Sequence, residues 1–257
     1  MRLTFLGTGT SFGVPQIGCD CAVCRSDDPR DRRGRSAALV QSAGGTILID
    51  TPPELRLQLL AAGITHIDAV VYTHEHADHV NGIDDLRMFS VRGKRPLPVY
   101  GPPETLERVR SGFRYIFDDL PPFPGTSKPA LDLRPIHPGE EVAIAGLTVL
   151  PLAFDHGNLR VYGYRFGRLA YLTDVKRVPP AERARLGGLD VLAINALWWR
   201  SHPTHLSIDE AIETARELGA ARTYLTHLTH ETGHADLLAR LPAGVMPAYD
   251  GLTVEVT

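Results

Sequence analysis

Three histidines and an aspartate lie within six positions of the sequence, at His74, His76, Asp78 and His79. They follow the apolar run AVVYT, which predicts a strand, and a turn after that strand can direct all four side chains into one cleft. Imidazole and carboxylate groups are ligands for zinc, manganese and iron. A lone histidine is more often a packed or solvated residue, but four potential ligands at this spacing favour a metal site.

Further ligands are expected where other predicted strands end. His156 follows the apolar run in LPLAFDHGN, Asp174 follows LAYLT, and His227 follows RTYLT. Asp174 alone would be an ordinary turn residue. Together with the histidines it is the predicted bridging carboxylate of a two-metal centre.

A second cluster contains sulfur. The three cysteines of the chain, Cys19, Cys21 and Cys24, all lie in CDCAVC. An odd number cannot form a closed set of disulfides within one chain, and clustered cysteines in a cytoplasmic protein more often hold a metal. With His230, three residues after His227, they make a Cys3His zinc site chemically reasonable. The alternative is that the thiols are free and His230 is a polar loop residue.

His205, in HPTHLSIDEA, precedes a predicted helix. Ser207 and Glu210 have the spacing of a capping box, and Gly219 closes the helix. His205 is therefore either a residue that caps or decorates this loop or a proton donor to a leaving alkoxide.

The segments that position these residues alternate between strand and helix patterns. A helix is also predicted in PPELRLQLLAAG, which starts with proline and ends at Gly63. Short strands with interspersed helices predict an α/β layered domain, and we expect a single domain over 1–257 with a zinc-binding insert around 19–35. The ten predicted strands are RLTFLG, AALVQ, TILID, AVVYT, LTVLPLAF, VYGYRF, LAYLTD, VLAINA, RTYLTH and LTVEV.

The composition narrows the class of protein. The chain has 257 residues, a formal net charge of −3 and 43% hydrophobic residues. This charge gives no reason to expect nucleic acid as a partner. The N-terminus lacks the features of a signal peptide, and no apolar run approaches the ~18 residues of a membrane span, so we expect a cytoplasmic protein. GTGTSFGVP has the wrong spacing for a dinucleotide-binding loop, and no helix pattern follows it.

The ligand pattern resembles the metallo-β-lactamase superfamily. The resemblance implies a four-layer αβ/βα sandwich of two packed mixed sheets flanked by helices, with the metals at one edge. It also implies that His74, His76 and His156 hold one metal, that Asp78, His79 and His227 hold the second, and that Asp174 bridges them. The β-lactamases themselves have cysteine at the position of Asp174, whereas the phosphodiesterase and thioesterase branches have aspartate.

Within that superfamily, nearly the whole chain resembles the phosphoribosyl 1,2-cyclic phosphate phosphodiesterase (PhnP-type) group. The resemblance rests on TGT followed by CDCAVC, and on YGPPE, HLSIDEA and THLTH. It implies a structural zinc on Cys19, Cys21, Cys24 and His230, a catalytic His205, two catalytic Mn²⁺ or Zn²⁺ ions, and a homodimer. The implied substrates are small cyclic phosphodiesters of the phosphoribosyl 1,2-cyclic phosphate or 2′,3′-cyclic nucleotide type. Two metals can lower the pKa of a bridging water and hold the phosphate oxygens for in-line attack.

Three other functions share part of the pattern. A tRNA 3′-processing endonuclease has the same metal ligands, but it needs a surface for a long polyanion. A thioesterase of the glyoxalase II kind carries a helical C-terminal domain, and only about 30 residues follow His227 here. A non-catalytic metal-binding or redox module is the third alternative.

For two segments the sequence leaves two alternative roles. RSDDPRDRRGRS, residues 25–36, has five arginines and three aspartates, and is either a contact for a second substrate phosphate or a solvated loop. Residues 113–130 contain four prolines and are the least regular part, either a lid or dimer contact or an ordinary long loop.

Overall fold

The apolar runs form two mixed sheets in the computed structural model, which describes residues 1–257. The first sheet has the strand order β14-β1-β2-β3-β4-β5-β6, and the second has the order β13-β12-β11-β10-β9-β8-β7. The strands of the first sheet are β1 (Arg2–Gly7), β2 (Ala37–Gln41), β3 (Thr46–Ile49), β4 (Ala69–Val71), β5 (Leu97–Gly101), β6 (Leu131–Pro135) and β14 (Thr253–Glu255). Those of the second are β7 (Val142–Ile144), β8 (Leu147–His156), β9 (Leu159–Phe166), β10 (Leu169–Leu172), β11 (Val191–Asn195), β12 (Arg222–Thr226) and β13 (Val245–Pro247).

Each sheet combines a parallel and an antiparallel half. Strands β3 to β6 pair in parallel, as do β10 to β13, whereas β14-β1-β2-β3 and β7-β8-β9-β10 pair antiparallel. Because β8 and β10 both pair antiparallel with β9, they run in the same direction. The carboxyl ends of β8, β10, β11 and β12 therefore lie at one edge of the second sheet.

Helices cover the outer faces of both sheets. Leu55, Leu106 and Val109 pack against outward-facing residues of the first sheet, and Ile208, Ala211 and others pack against those of the second. The helices are α1 (Leu55–Ala61), α2 (Ala77–Val80), α3 (Arg87–Gly93), α4 (Pro103–Gly112), α5 (Arg114–Phe117), α6 (Pro180–Ala184), α7 (Ile208–Leu218) and α8 (His234–Arg240). The chain also has two short 3₁₀ helices, Pro29–Asp31 and Ile83–Leu86. None of the α-helices is long and apolar enough to span a membrane.

A central apolar layer joins the two sheets. Phe5, Val71, Tyr164 and Tyr171 are almost fully buried within it. Alternate residues of each strand face either this layer or the outer helices, which is the pattern expected for sheets buried on both faces. The predicted four-layer α/β sandwich is confirmed.

The sequence predicted the strands of the site better than the remaining elements. Strands β1 and β2 have the predicted bounds, and several other strands end one or two residues earlier. Strands β5, β6, β7 and β13 were not predicted. Residues 113–130 are less irregular than expected, because helix α5 forms at their start.

Helix α7 begins with the predicted capping box. The Ser207 hydroxyl accepts a hydrogen bond from the Glu210 N–H (3.2 Å), and the Glu210 carboxylate accepts one from the Ser207 N–H (2.7 Å). The left-handed Gly219, at φ 65°, ends the helix. These contacts fix the end of the loop that carries His205.

We expect Ser207→Ala to destabilise the protein by about 1 kcal/mol, because an alanine N-cap leaves an N–H without a partner. For a chain of this size the melting temperature should fall by about 2–4 °C. Ser201→Ala, at an exposed position of the same loop, is the control and should melt as the wild type does. Equal melting temperatures for both variants would show that the capping box contributes nothing to stability.

Candidate metal centre

The predicted ligands converge where strands of the two sheets end. His74 follows β4, Asp174 follows β10, His227 follows β12, and His156 is the last residue of β8. Parallel strands present their carboxyl ends at one edge of a sheet, so residues distant in sequence meet there. Asp174 and His227 both have left-handed backbone conformations, with φ at 58°. This conformation is costly for residues other than glycine and is concentrated at functional sites.

One set of potential ligands contains three histidines and a carboxylate. The Nε2 atom of His74 lies 2.9 Å from Nδ1 of His76 and 3.9 Å from Oδ2 of Asp174. The His156 Nε2 atom is also 3.9 Å from that oxygen. Four residues each offer one donor atom, and these four atoms all lie within 4.8 Å of one another. The residues are His74, His76, His156 and Asp174.

A second set shares the same carboxylate. His79, Asp174 and His227 again have donor atoms within 4.8 Å of one another. Asp78 is not one of these three, but its Oδ2 lies 3.3 Å from Nε2 of His79. The His79 Nε2 atom is buried and has no hydrogen-bond partner within the protein. The donor types, the shared Asp174 and this unpartnered nitrogen fit two divalent metal ions.

A residue that the sequence analysis missed orients His79. Asp50, directly after β3, is fully buried, and its carboxylate accepts hydrogen bonds from His79 Nδ1 (2.7 Å), Thr73 N (2.8 Å) and Thr73 Oγ1 (2.8 Å). A histidine that donates from Nδ1 presents the lone pair of Nε2. The only sequence signal was a carboxylate after an apolar strand, which is the signal that identified Asp174.

The electrostatics of the centre suit metal ligands. Burial lowers the pKa of His74 well below its ordinary value and that of His227 to about 4, which keeps both rings neutral. Burial alone would raise the pKa of Asp174, but the charged His79 and the hydrogen bond from His205 hold it well below its usual range. His79 differs from His74 and His227 in its charge. Burial opposes a charge on His79, yet the carboxylates of Asp174 and Asp78 raise its pKa well above the ordinary value. A metal that binds its Nε2 atom would therefore displace a proton from this ring.

His205 lies beside the shared carboxylate. Its Nε2 atom is 3.1 Å from Asp174 Oδ2, and its side chain is 13% exposed. The ring stacks on His227, with centroids 5.0 Å apart, and meets His156 edge to face at 4.7 Å. His205 therefore combines contact with the centre and access from solvent. The N-cap of helix α7 is Ser207, two residues after His205.

The cysteine cluster forms a separate set of potential ligands. The Sγ atoms of Cys19 and Cys21 each lie 3.3 Å from Nδ1 of His230, and Cys24 completes a group whose donor atoms all lie within 4.8 Å. The backbone N–H of Cys24, followed by His230, lowers the pKa of Cys21 to about 6, whereas burial raises that of Cys24 to about 11. Three sulfurs and one imidazole fit a tetrahedral zinc ion.

The arginines of residues 25–36 mostly have partners within the protein. Arg25 pairs with Asp20, and Arg30 pairs with Asp28. Arg33 is buried and donates to Thr8 Oγ1 and to the carbonyl oxygen of Ala248. These arginine side chains thus already have partners within the protein.

Known proteins with a similar sequence or fold cover the whole chain. Residues 45–228 match the family model of the β-lactamase superfamily domain. A solved structure described as a new diphosphatase from the PhnP family is 42% identical, with a TM-score of 0.92, and the match covers 100% of this chain and 98% of that one. A ribonuclease Z of Methanopyrus kandleri is 28% identical, and the match covers 89% of this chain and 94% of that protein.

A further relative is longer. The octanoyltransferase of Porphyromonas gingivalis is 43% identical over 255 residues, which cover 98% of this chain but 51% of that protein. The chain thus spans about half the length of this relative. The family model matches well over half of the chain, and the chain therefore belongs to the β-lactamase superfamily, with full-length similarity to the PhnP family.

Proposed function

We propose that the protein is a metal-dependent phosphodiesterase that hydrolyses small cyclic phosphodiesters of the phosphoribosyl 1,2-cyclic phosphate or 2′,3′-cyclic nucleotide type. The observation that carries the proposal is the position of His205, 3.1 Å from the carboxylate that belongs to both ligand sets. A proton donor beside a two-metal centre suits a bond whose leaving group is a poorly stabilised alkoxide.

In this proposal Asp174 would bridge two divalent metals, Mn²⁺ or Zn²⁺. His74, His76 and His156 would hold one metal, and Asp78, His79 and His227 the other. When bound, such metals supply Lewis acidity toward phosphate oxygens and lower the pKa of water. Asp50 would hold the ring of His79 in its ligand orientation.

His205 is the proposed general acid. Ring opening of a cyclic phosphate breaks a P–O bond to a sugar oxygen, and that oxygen must gain a proton. Because the Asp174 carboxylate can only accept, Nε2 of His205 carries a hydrogen toward the centre. That hydrogen is at the correct edge of the ring for transfer to the leaving oxygen.

Hydrolysis of a diphosphate is a second candidate, favoured by the diphosphatase that is 42% identical to this chain. A phosphate leaving group is more stable than an alkoxide and needs less protonation. The two candidates therefore differ in how much the reaction depends on His205.

A tRNA nuclease activity is the superfamily alternative and is tested by adding tRNA as a substrate. Acyl transfer is the activity in the name of the longer relative, but the match covers only 51% of that protein.

Asp50→Asn should weaken metal binding at the histidine–aspartate centre about 10–100-fold, the usual effect of losing a carboxylate that orients a ligating histidine. Titration of metal-free protein with Zn²⁺ or Mn²⁺ by calorimetry measures this affinity. Asp68→Asn is a matched control, since Asp68 also bonds a histidine, His66, at 2.9 Å but away from the centre. Unchanged affinity in Asp50→Asn would contradict the positioning role.

Cys21→Ser should remove one zinc and lower the melting temperature, because a structural zinc contributes directly to the free energy of folding. Elemental analysis of the fully loaded wild type should give three metals per chain, two at the histidine–aspartate centre and one at the cysteines. Asp174→Ala is the opposite case and should lose metal and turnover at the catalytic centre while the cysteine-bound zinc remains. A Cys21→Ser variant with unchanged zinc content and melting temperature would leave the cysteines as free thiols.

His205→Ala tests the proposed function. It should slow hydrolysis of a 2′,3′-cyclic nucleotide by about 10²–10⁴-fold, the range for a positioned general acid. Hydrolysis of bis(4-nitrophenyl) phosphate should fall much less, because nitrophenolate leaves without a proton. Metal content should stay the same, since His205 is proposed as an acid and not as a ligand.

The same assay distinguishes the alternatives. Turnover of a nucleoside diphosphate, but not of cyclic phosphates, by the wild type would favour the diphosphatase candidate. Cleavage of tRNA in preference to both would favour the nuclease. An equal loss on both phosphodiesters in His205→Ala, together with loss of metal, would refute the general-acid assignment.

A further inference from the structure

Thr204 contacts both a potential metal ligand and the proposed acid. Its carbonyl oxygen accepts a hydrogen bond from Nδ1 of His156 at 2.9 Å, and its hydroxyl lies 2.8 Å from Nδ1 of His205. The hydroxyl is also 3.2 Å from Nδ1 of His202. Two histidines on different elements, the end of β8 and the loop before α7, are thus held by one residue.

The close approach of Thr204 to β8 depends on a glycine. A Cβ atom at Gly157, the residue after His156, would lie 2.7 Å from Cγ2 of Thr204. Gly157 also has a left-handed φ of 60°. The other side of the loop is fixed by backbone hydrogen bonds from Leu206 N to Val175 O (2.9 Å) and from Leu197 N to Leu206 O (3.0 Å). Thr204 therefore sits in a well-defined position between the two histidines.

The protonation of the His205 ring determines the direction of the hydrogen bond between its Nδ1 atom and the Thr204 hydroxyl. Nε2 of His205 faces the Asp174 carboxylate, which only accepts, so Nε2 carries a hydrogen. In the neutral ring Nδ1 is then the acceptor, and the Thr204 hydroxyl donates to it. In the charged ring Nδ1–H donates to the same hydroxyl, whose own hydrogen can turn to Nδ1 of His202. A hydroxyl can satisfy both states because it both donates and accepts.

The hydrogen bond of His156 to a carbonyl oxygen determines which of its ring nitrogens carries the hydrogen. A carbonyl oxygen only accepts, so Nδ1 of His156 carries the hydrogen and Nε2 presents a lone pair toward Asp174. This is the same arrangement that Asp50 imposes on His79, but here a backbone atom provides it.

We propose that Thr204 is a positioning residue with two functions, in which its carbonyl orients the metal ligand His156 and its hydroxyl orients His205 as the proton donor. The inference rests on the proposed function of His205. Because the two functions use different atoms, a substitution that removes only the hydroxyl separates them.

Thr204→Val removes the hydroxyl, keeps the side-chain shape and leaves the carbonyl in place. We expect kcat for a 2′,3′-cyclic nucleotide to fall about tenfold, the equivalent of one hydrogen bond, with KM unchanged. The rate for bis(4-nitrophenyl) phosphate, the metal content and the melting temperature should not change. Thr204→Ser retains the hydroxyl and should restore the cyclic-nucleotide rate.

A double variant tests whether Thr204 acts through His205. If it does, Thr204→Val should cause no further loss of cyclic-nucleotide hydrolysis in a His205→Ala background, because groups that act as a unit are not additive. A purely structural role would instead give additive losses, or equal losses on both substrates with a lower melting temperature. Either result would overturn the inference.

The controls separate this inference from the proposed function. If His205→Ala slows the cyclic nucleotide selectively but Thr204→Val slows neither substrate, only the role of Thr204 is refuted. If His205→Ala shows no selectivity for the leaving group, the general-acid role of His205 fails, and the inference about Thr204 fails with it. If the wild type does not hydrolyse the cyclic nucleotide at all, the proposed function fails.

Discussion

A buried carboxylate at the meeting point of two ligand sets is the constraint on which the site depends. The Asp174 side chain is 3% exposed, and burying an ionised carboxylate is costly unless opposite charges or hydrogen bonds compensate it. His79 and His227 approach one of its oxygens at 3.4 Å, and His205 approaches the other at 3.1 Å. The neighbouring histidines also cannot all be charged in a buried space, because like charges repel one another and burial penalises each charge. The divalent cations proposed for this centre would resolve both problems, since they would neutralise the carboxylates and accept the lone pairs of neutral histidines.

Holding so many polar groups together requires a rigid frame on both sides. The two sheets supply it, because the ligands come from strand ends of both. The sheets are also joined next to the site, where the Tyr164 hydroxyl donates to the carbonyl of Tyr72 (2.5 Å) and Tyr162 N donates to the carbonyl of Thr73 (2.9 Å). These bonds fix the backbone immediately before His74. The left-handed conformations of Asp50, Asp174 and His227 are tolerated because their strands are buried on both faces.

The sequence predicted the potential ligands because residue type and strand pattern carry independent information. An apolar run marks where a strand ends, and several histidines and aspartates at such ends together indicate a metal site. Asp50 occupied the same kind of position, but a single carboxylate after a strand is also an ordinary turn residue. Its role became visible only through its bonds to His79 and Thr73. Strand β5 was not predicted, because Pro98 interrupts its apolar pattern.

The contacts of Thr204 mark the limit of what residue identities can predict. Its bond to His156 is made by a backbone carbonyl, which every residue has, so no side chain identifies it. The geometry depends instead on the absence of a side chain at Gly157, a property of a residue 47 positions away in sequence. The potential metal ligands could thus be inferred from sequence, whereas the tautomers of their rings required the fold. This difference matters for function, because a histidine with its hydrogen on the wrong nitrogen can neither bind a metal through Nε2 nor release a proton from it.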